Sequence, residues 1–443
     1  MPRMSSGLNT TLAVALGAAT VRQALVLRSI LRSHRFLQQA PRVPTSASGS
    51  DKGEARIFIL LPVLRESALL AQSVEHFADL ARGHNAIVVV VTTERERAEQ
   101  SPHTRKVDTI SLAAKLAATG ECVHLHYPNP QGVKADQLNF AVEALTEQLG
   151  DIDPDATWAL CYDADSRPPS NTLDRFLATL DAHPETDVLH QSSRFEVRDR
   201  TLGPLTTAVA DAGALRANRF VLAYELPRLL NRSDAVGAVK RKLSSYVYTH
   251  ITGHGLFIRW SLLHDVPFPT GSPLEDMHYS FILNSRNSVM LPVPSLDVAD
   301  VPASLSIQVE QAARWFYGPG RFRRYLRDPR TSPGPRAWVL SASAACICAE
   351  WLSCAVVPAA MFVTLWKGSP VVRATAGTFA AAYALQLTAT DAVLSPTLTP
   401  GSKVVRLLSY PAACTLFGVG GFMGAVRLTA GNSGQGKTER SRP

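Results

Sequence analysis

The chain has 443 residues and a formal net charge of +8, from 45 Lys and Arg against 37 Asp and Glu. Its excess positive charge gathers at Arg321, Arg323, Arg324, Arg327, Arg330 and Arg336, opposed by Asp328, where a long apolar region begins. That position suits anionic lipid headgroups, and without zinc-finger spacing or an RNA-binding signature it gives no reason to expect a nucleic-acid partner. The six cysteines show no paired metal-ligand spacing, which argues against a zinc module or a disulfide framework and fits a reducing compartment.

In chain order, residues 8–27 are apolar apart from Asn9, Thr10, Thr11, Thr20, Arg22 and Gln23, and are just long enough to span a bilayer. Arg28, Arg32 and Arg35 follow, so the chain is expected to leave the membrane on the cytoplasmic side. A cleaved signal peptide is the alternative. An anchor is favoured, because a secreted catalytic domain would have no supply of activated substrate. Ser, Pro and Gly then mark a linker.

From Arg56 the pattern becomes α/β. Ile57–Val63 and Ala86–Val91 read as strands buried on both faces, Cys122–His126 and Trp158–Tyr162 as two more. Ser67–Arg82, Ser111–Thr119 and Ala135–Leu149 have helical spacing between them. This alternation predicts a mostly parallel sheet covered by helices, with ligands beyond the carboxyl ends of the strands. Pro62–Glu66, Glu94 and Asp163–Asp165 should therefore share one rim. Three nearly uncharged stretches follow: Ala337–Trp366 with only Glu350, Thr375–Leu394 with only Asp391, and Leu407–Thr429 with only Arg427. Each is long enough to span.

The chemistry starts at Asp163-Ala164-Asp165. It ends the Trp158–Tyr162 strand, and alternation along an extended strand puts both carboxylates on one side. Mg²⁺ and Mn²⁺ favour oxygen ligands, and one or two carboxylates plus substrate phosphates suffice for Mg²⁺. Before the triplet come Leu61-Pro62-Val63-Leu64-Arg65-Glu66, Glu94, and Gly132-Val133-Lys134-Ala135-Asp136-Gln137-Leu138-Asn139. After it come Gly253-His254-Gly255, Leu274-Glu275-Asp276 and Gln311-Ala312-Ala313-Arg314-Trp315.

In this order the segments resemble the family 2 glycosyltransferases of GT-A fold, more narrowly the membrane-integrated branch of polysaccharide synthases and ceramide-glucosyltransferase-like enzymes. The resemblance implies a nucleotide-sugar site at Pro62, Glu66, Glu94, Lys134, Asn139 and Asp163, with Asn139 buttressing its loop. It implies a metal, Mg²⁺ or Mn²⁺, on Asp163 and Asp165, and Asp276 as catalytic base. It implies an acceptor and diphosphate side at Gly253, Gly255, Glu275, Gln311, Arg314 and Trp315. Plainer uses stand beside these: Asp276 as a helix N-cap, Arg314 as part of the basic cluster, Trp315 as an interfacial anchor.

The expected organisation is an anchor over 1–35, a linker over 36–54, a GT-A domain over 55–304 and interfacial helices over 305–336. Three transmembrane helices over 337–429 and a disordered tail over 430–443 complete it. The expected activity is inverting, metal-dependent transfer from a nucleotide diphospho-sugar, a UDP-sugar first, to a lipid or polysaccharide acceptor. The setting is the cell membrane, with the catalytic domain cytoplasmic. The alternatives are a catalytically silent GT-A subunit that binds a partner or polymer, and a polyprenyl-phosphate sugar transferase.

Overall fold

The computed structural model describes residues 6–431 apart from 40–54, 100–107, 151, 199–200, 202, 235–237, 273 and 303. Most of the expected linker and tail lie outside the described residues. Helix α1 (Ser6–Gln38) runs past the expected end of the anchor and takes in the first residues assigned to the linker.

The catalytic half begins with β1 (Arg56–Pro62), α2 (Ser67–Ala81), β2 (Ala86–Thr93), the short α3 (Arg95–Ala98), α4 (Thr109–Ala118), β3 (Val123–Tyr127), α5 (Lys134–Leu149) and β4 (Thr157–Cys161). Strand β1 shows why the sheet is central. Phe58 and Leu60 point into one core with Leu138 of α5 and Trp260. Ile57, Ile59 and Leu61 point into the other, with Phe77 of α2 and Phe176. All five are fully buried, as a two-residue period demands of a strand covered on both faces. Burying each such side chain stabilises the fold by about 1.5–3 kcal/mol.

Next come α6 (Thr172–Ala182), β5 (Val188–His190), β6 (Ser193–Glu196), α7 (Pro204–Phe220), a π-helical turn (Val221–Glu225), α8 (Leu226–Ser233) and α9 (Ala238–Ser244). Then follow β7 (Leu256–Arg259), α10 (Trp260–Asp265), α11 (Glu275–Arg286), β8 (Met290–Pro292) and β9 (Asp297–Asp300). The seven-stranded sheet has the order β3-β2-β1-β4-β7-β5-β8, and β6 pairs with β9 in a second sheet. Strand β7 alone runs antiparallel in the large sheet, between β4 and β5. The predicted mostly parallel α/β architecture is present.

The membrane-side half consists of α12 (Leu305–Gly320), α13 (Phe322–Tyr325), α14 (Pro335–Lys367), α15 (Pro370–Leu394) and α16 (Pro400–Thr429), with α1 packed along α15. Among the described residues, three helices are long and apolar enough to cross a membrane: Asn9–Gln38, Pro335–Lys367 and Pro400–Thr429. Helix α15, also expected to span, falls below that hydropathy because of its threonines, Gln386 and Asp391. Small residues let α16 approach its neighbours. Side chains at Gly420 and Gly424 would collide with Ala312, Ala313 and Phe316 of α12, and one at Gly418 with Ala355 of α14.

The three charges that interrupt the apolar stretches, Glu350, Asp391 and Arg427, are each paired. Glu350 meets Arg22 at 3.1 Å, Asp391 meets the buried Arg406, and Arg427 reaches Glu310 of α12 at 2.6 Å. Arg406 is thus an internal partner, because burying Asp391 requires a cation. Two members of the basic cluster are also internal. Arg330 pairs with Asp328 at 2.7 Å, and Arg336 donates to the Ser285 carbonyl at 3.3 Å.

Candidate active site

Strand β4 ends at Cys161, so Asp163 and Asp165 stand in the following turn rather than on the strand. Strand alternation therefore does not place them. The turn does, with the Ser166 N–H donating to the Asp163 carbonyl at 3.0 Å. Ser73 of α2 donates to the Ala164 carbonyl. Arg167 donates to the carbonyls of Ala164 and Ser166 at 3.1 and 2.7 Å, and its N–H to the buried Asp297 at 2.7 Å. Both carboxylates line one cleft. Among the described residues no group of three His, Cys, Asp or Glu side chains is arranged to hold a metal. The donor set fits a hard divalent ion that completes its shell with substrate phosphates and water.

Pro62 and Glu66 line the cleft where β1 enters α2. Arg65 has φ +58°, unusual for a residue with a side chain, and Glu96 holds it there. The Glu96 carboxylate, 2% exposed, accepts from the Arg65 N–H at 3.0 Å and from the Thr109 N–H at 2.8 Å. Glu94 was expected here, but it turns to His126 at 3.0 Å and Arg97 at 3.2 Å and does not line the cleft. The reason is local: helix α3 starts at Arg95, and the next turn presents Glu96 and Glu99 instead. Asn139 is also off the cleft. It exchanges two 2.9 Å hydrogen bonds with the backbone of Phe268 and so braces the loop there. Gln137, two residues earlier, ties the ends of the first two strands together. Its amide donates to the Val63 and Val91 carbonyls at 3.1 and 2.6 Å.

Gly253, Glu275 and Asp276 face the same space. Asp276 lies in the first turn of α11 but is not its N-cap, a position held by Leu274. Its carboxylate accepts from the Gly253 N–H at 3.1 Å and the Met277 N–H at 2.7 Å. Lys134, at the start of α5, donates to Asp163 at 2.6 Å and to the Gly253 carbonyl at 2.7 Å. Burial opposes its charge, yet Asp163, Glu275 and Asp276 more than offset that and hold its pKa above the ordinary lysine value. Glu275 is pushed up to about 7, by burial first and by Asp276 next, against the pull of Lys134. A side chain at Gly253 would press on Lys134 and Asp276. Gly255 has φ +65°, and a Cβ there would strike the Gln191 carbonyl. His254 between them meets Asp297 at 3.3 Å.

Gln311, Arg314 and Trp315 project from α12 into the cleft, and Trp315 packs by Tyr248, Leu274 and Met277 next to Asp276. The cleft, about 1870 Å³, continues past them between α1, α7, α14, α15 and α16. One space therefore joins the carboxylate turn, Asp276 and the apolar helices.

The sequence profile of the family described as Glycosyl transferase family group 2 matches residues 158–390, more than half of the chain. The chain belongs to this family. As a family 2 glycosyltransferase it shares its fold with a mannosyltransferase from Pyrobaculum calidifontis solved with GDP-Man and Mn²⁺. That pair is 17% identical over 95% of this chain and 98% of the other, with a TM-score of 0.52. More remote is mannosyl-3-phosphoglycerate synthase from Rubrobacter xylanophilus, 13% identical over 63% of this chain and 78% of that one, at a TM-score of 0.36. Glucosyl-3-phosphoglycerate synthase from Mycobacterium tuberculosis, with Mn²⁺, UDP-glucose and phosphoglyceric acid, is 14% identical over 60% of this chain and 74% of that one, at 0.32. No curated protein sequence matches this glycosyltransferase significantly.

Proposed function

We propose that this glycosyltransferase moves a sugar, with inversion, from a nucleotide diphospho-sugar to a lipid or glycan acceptor presented by the membrane. The observation that carries the reading is the single cleft that runs from Asp163 and Lys134, past Asp276, to the helices able to span a bilayer. A water-soluble donor enters from the strand ends, and an amphiphilic acceptor from the membrane side. The catalytic half then lies on the cytoplasmic face, where nucleotide-sugars are made.

Asp276 takes the proton of the acceptor hydroxyl as its oxygen bonds to the anomeric carbon. The bond from that carbon to the diphosphate breaks in the same displacement, and the proton remains on the Asp276 carboxyl. Two backbone N–H groups orient this carboxylate and leave it lone pairs for the incoming hydroxyl. Lys134 and Arg314 hold the diphosphate as negative charge builds on it. Asp163 and Asp165 would hold Mg²⁺ or Mn²⁺, which would supply further charge neutralisation there. Trp315 offers its face to the acceptor, and Gln311 and Glu275 offer hydrogen bonds.

The test is a donor screen. Purified full-length protein in nanodiscs of total membrane lipid is given a panel of nucleotide-sugars with Mg²⁺ or Mn²⁺, and free nucleotide is measured. Release from one donor, abolished by chelation, is the expected result. No release from any donor, together with no nucleotide binding at millimolar concentration, overturns the reading.

A further inference from the structure

The membrane-side floor of the cleft carries a concentration of positive charge that the donor chemistry does not use. Arg22 of α1, Arg219 of α7 and Arg228 of α8 all place their guanidinium carbons within 6 Å of the Tyr224 ring, at 5.9, 5.7 and 5.7 Å. All three line the cleft, and Arg22 also lies 3.3 Å from the Tyr224 hydroxyl. Arg216, one turn before Arg219, lines the same wall and stacks on Phe417 of α16 at 3.4 Å.

The acids nearby do not balance this charge. Glu350 pairs with Arg22 at 3.1 Å, and its side chain is 48% exposed. Glu225 is buried and committed to His190 at 3.2 Å. Arg219 has a neutral partner, the Gln386 amide oxygen at 3.0 Å. Arg228 makes no ion pair among the described residues, and burial, against Glu350 and Tyr224, lowers its pKa below the ordinary arginine value. Charges placed against membrane helices without counterions are costly and mark binding sites. Planar guanidinium groups suit a tetrahedral oxyanion, which they can grip by paired hydrogen bonds.

We propose that Arg22, Arg219 and Arg228 form an anchoring site for the phosphate group of a membrane-lipid acceptor. The inference rests on the glycosyltransferase reading above and names the acceptor class. The phosphate is held beneath Tyr224, its hydrocarbon tail lies along the apolar faces of α14 and α16, and the hydroxyl to be glycosylated reaches towards Asp276. Tyr248 and His250 line the cleft wall between the two ends. The arginines come from α1, α7 and α8, and α1 packs against α8 and the π-helical turn before it, so the site requires α1 in place.

The experiment uses the full-length protein in nanodiscs of neutral phosphatidylcholine and measures binding of dodecyl phosphate, dodecanol and inorganic phosphate. UDP and GDP binding with Mn²⁺ is measured on the same samples. Dodecyl phosphate should bind at least tenfold more tightly than dodecanol or inorganic phosphate. The Arg219→Gln/Arg228→Gln variant should lose at least tenfold of that affinity and keep its nucleotide affinity. Arg228→Lys, which retains the charge, should lie between the two and guards against misfolding. Equal binding of dodecyl phosphate and dodecanol, or unchanged affinity in the double variant, overturns the site. Inorganic phosphate binding as tightly as dodecyl phosphate overturns the lipid source. Failure of nucleotide binding in the parent protein tells instead against the glycosyltransferase reading.

Discussion

Lys134 and Asp163 stand 2.6 Å apart, and the same ammonium group lies 2.7 Å from the carbonyl of Gly253. One cation therefore links the turn that follows β4 to the loop that precedes β7. It sets the spacing between the donor side and the acceptor side before any substrate arrives. Replacing Lys134 with Met should lower kcat/KM by about 10²–10³, the usual effect of removing one charge-stabilising donor, as read from initial rates of nucleotide release. Asp163→Asn should abolish the stimulation by Mn²⁺, and calorimetry with UDP or GDP, with and without the ion, is the direct check. Metal-stimulated rates equal to the parent's would remove Asp163 from the metal site.

Asp276→Asn keeps the shape of the side chain and its one carbonyl oxygen can still accept one of the two backbone hydrogen bonds, but it cannot take a proton. Transfer should fall by about 10²–10⁴ with donor affinity close to that of the parent. Parental turnover in the Asn variant would refute the base assignment.

Glu96 touches the nucleoside side through Arg65. Glu96→Ala releases the Arg65 N–H and the Thr109 N–H from one buried carboxylate, so the loop between β1 and α2 loses its brace. The expected signature is a several-fold rise in donor KM with little change in kcat, because ground-state and transition-state binding are weakened alike. A fall in kcat at unchanged KM would place Glu96 elsewhere in the mechanism.

Glu275 gives the fold a pH dependence of defined sign. Its carboxyl is raised from 4.5 to about 7, so between these values the native protein holds a proton that the unfolded chain has released. Stability from this group is fully present below about pH 4.5 and is lost as pH rises through about 7. Relative to Glu275→Gln, the parent should lose a few degrees of melting temperature between about pH 5 and about pH 8. Parallel melting curves for the two proteins would show that Glu275 titrates normally.

The seam between α16 and α12 depends on glycine. Gly424→Leu would force a side chain into Ala313 and Phe316, at a cost of about 1–3 kcal/mol for overpacking. Gly377→Leu in α15 meets open space and serves as the control, since nothing lies within 4 Å of its added Cβ. A lower melting temperature in the first variant alone is expected.

Much of the catalytic layer was legible because buried parallel strands write themselves as unbroken apolar runs, as in Ile57–Leu61. The segments bearing Lys134, Asp163, Asp276 and Arg314 were found by residue type and order, and all four residues do face one cleft. What escaped was direction. Glu94 and Glu96 are two residues apart and equally acidic, and the start of a four-residue helix decides which one turns inward. Asn139 and Gln137 both carry amides on one helix, and only their distances to Phe268, Val63 and Val91 reveal that both are braces. Ser73, Arg167 and Asp297, which fix the carboxylate turn, are spread across the chain and carry no local pattern. The pairing of Arg406 with Asp391 is likewise invisible in the sequence, because the two residues sit in different helices.

The π-helical turn at Val221–Glu225 separates Arg219 from Arg228 by nine residues. In an unbroken α-helix, at about 100° per residue, nine residues end about 180° away, so the two guanidinium groups would point in opposite directions. A turn that accommodates one extra residue makes nine advance like eight, and the angle falls to about 80°. Both side chains can then flank Tyr224, as observed. A one-residue insertion in helical phase is therefore what gathers the positive charge on one wall, and deleting one residue from this turn would disperse it while leaving every arginine in the sequence.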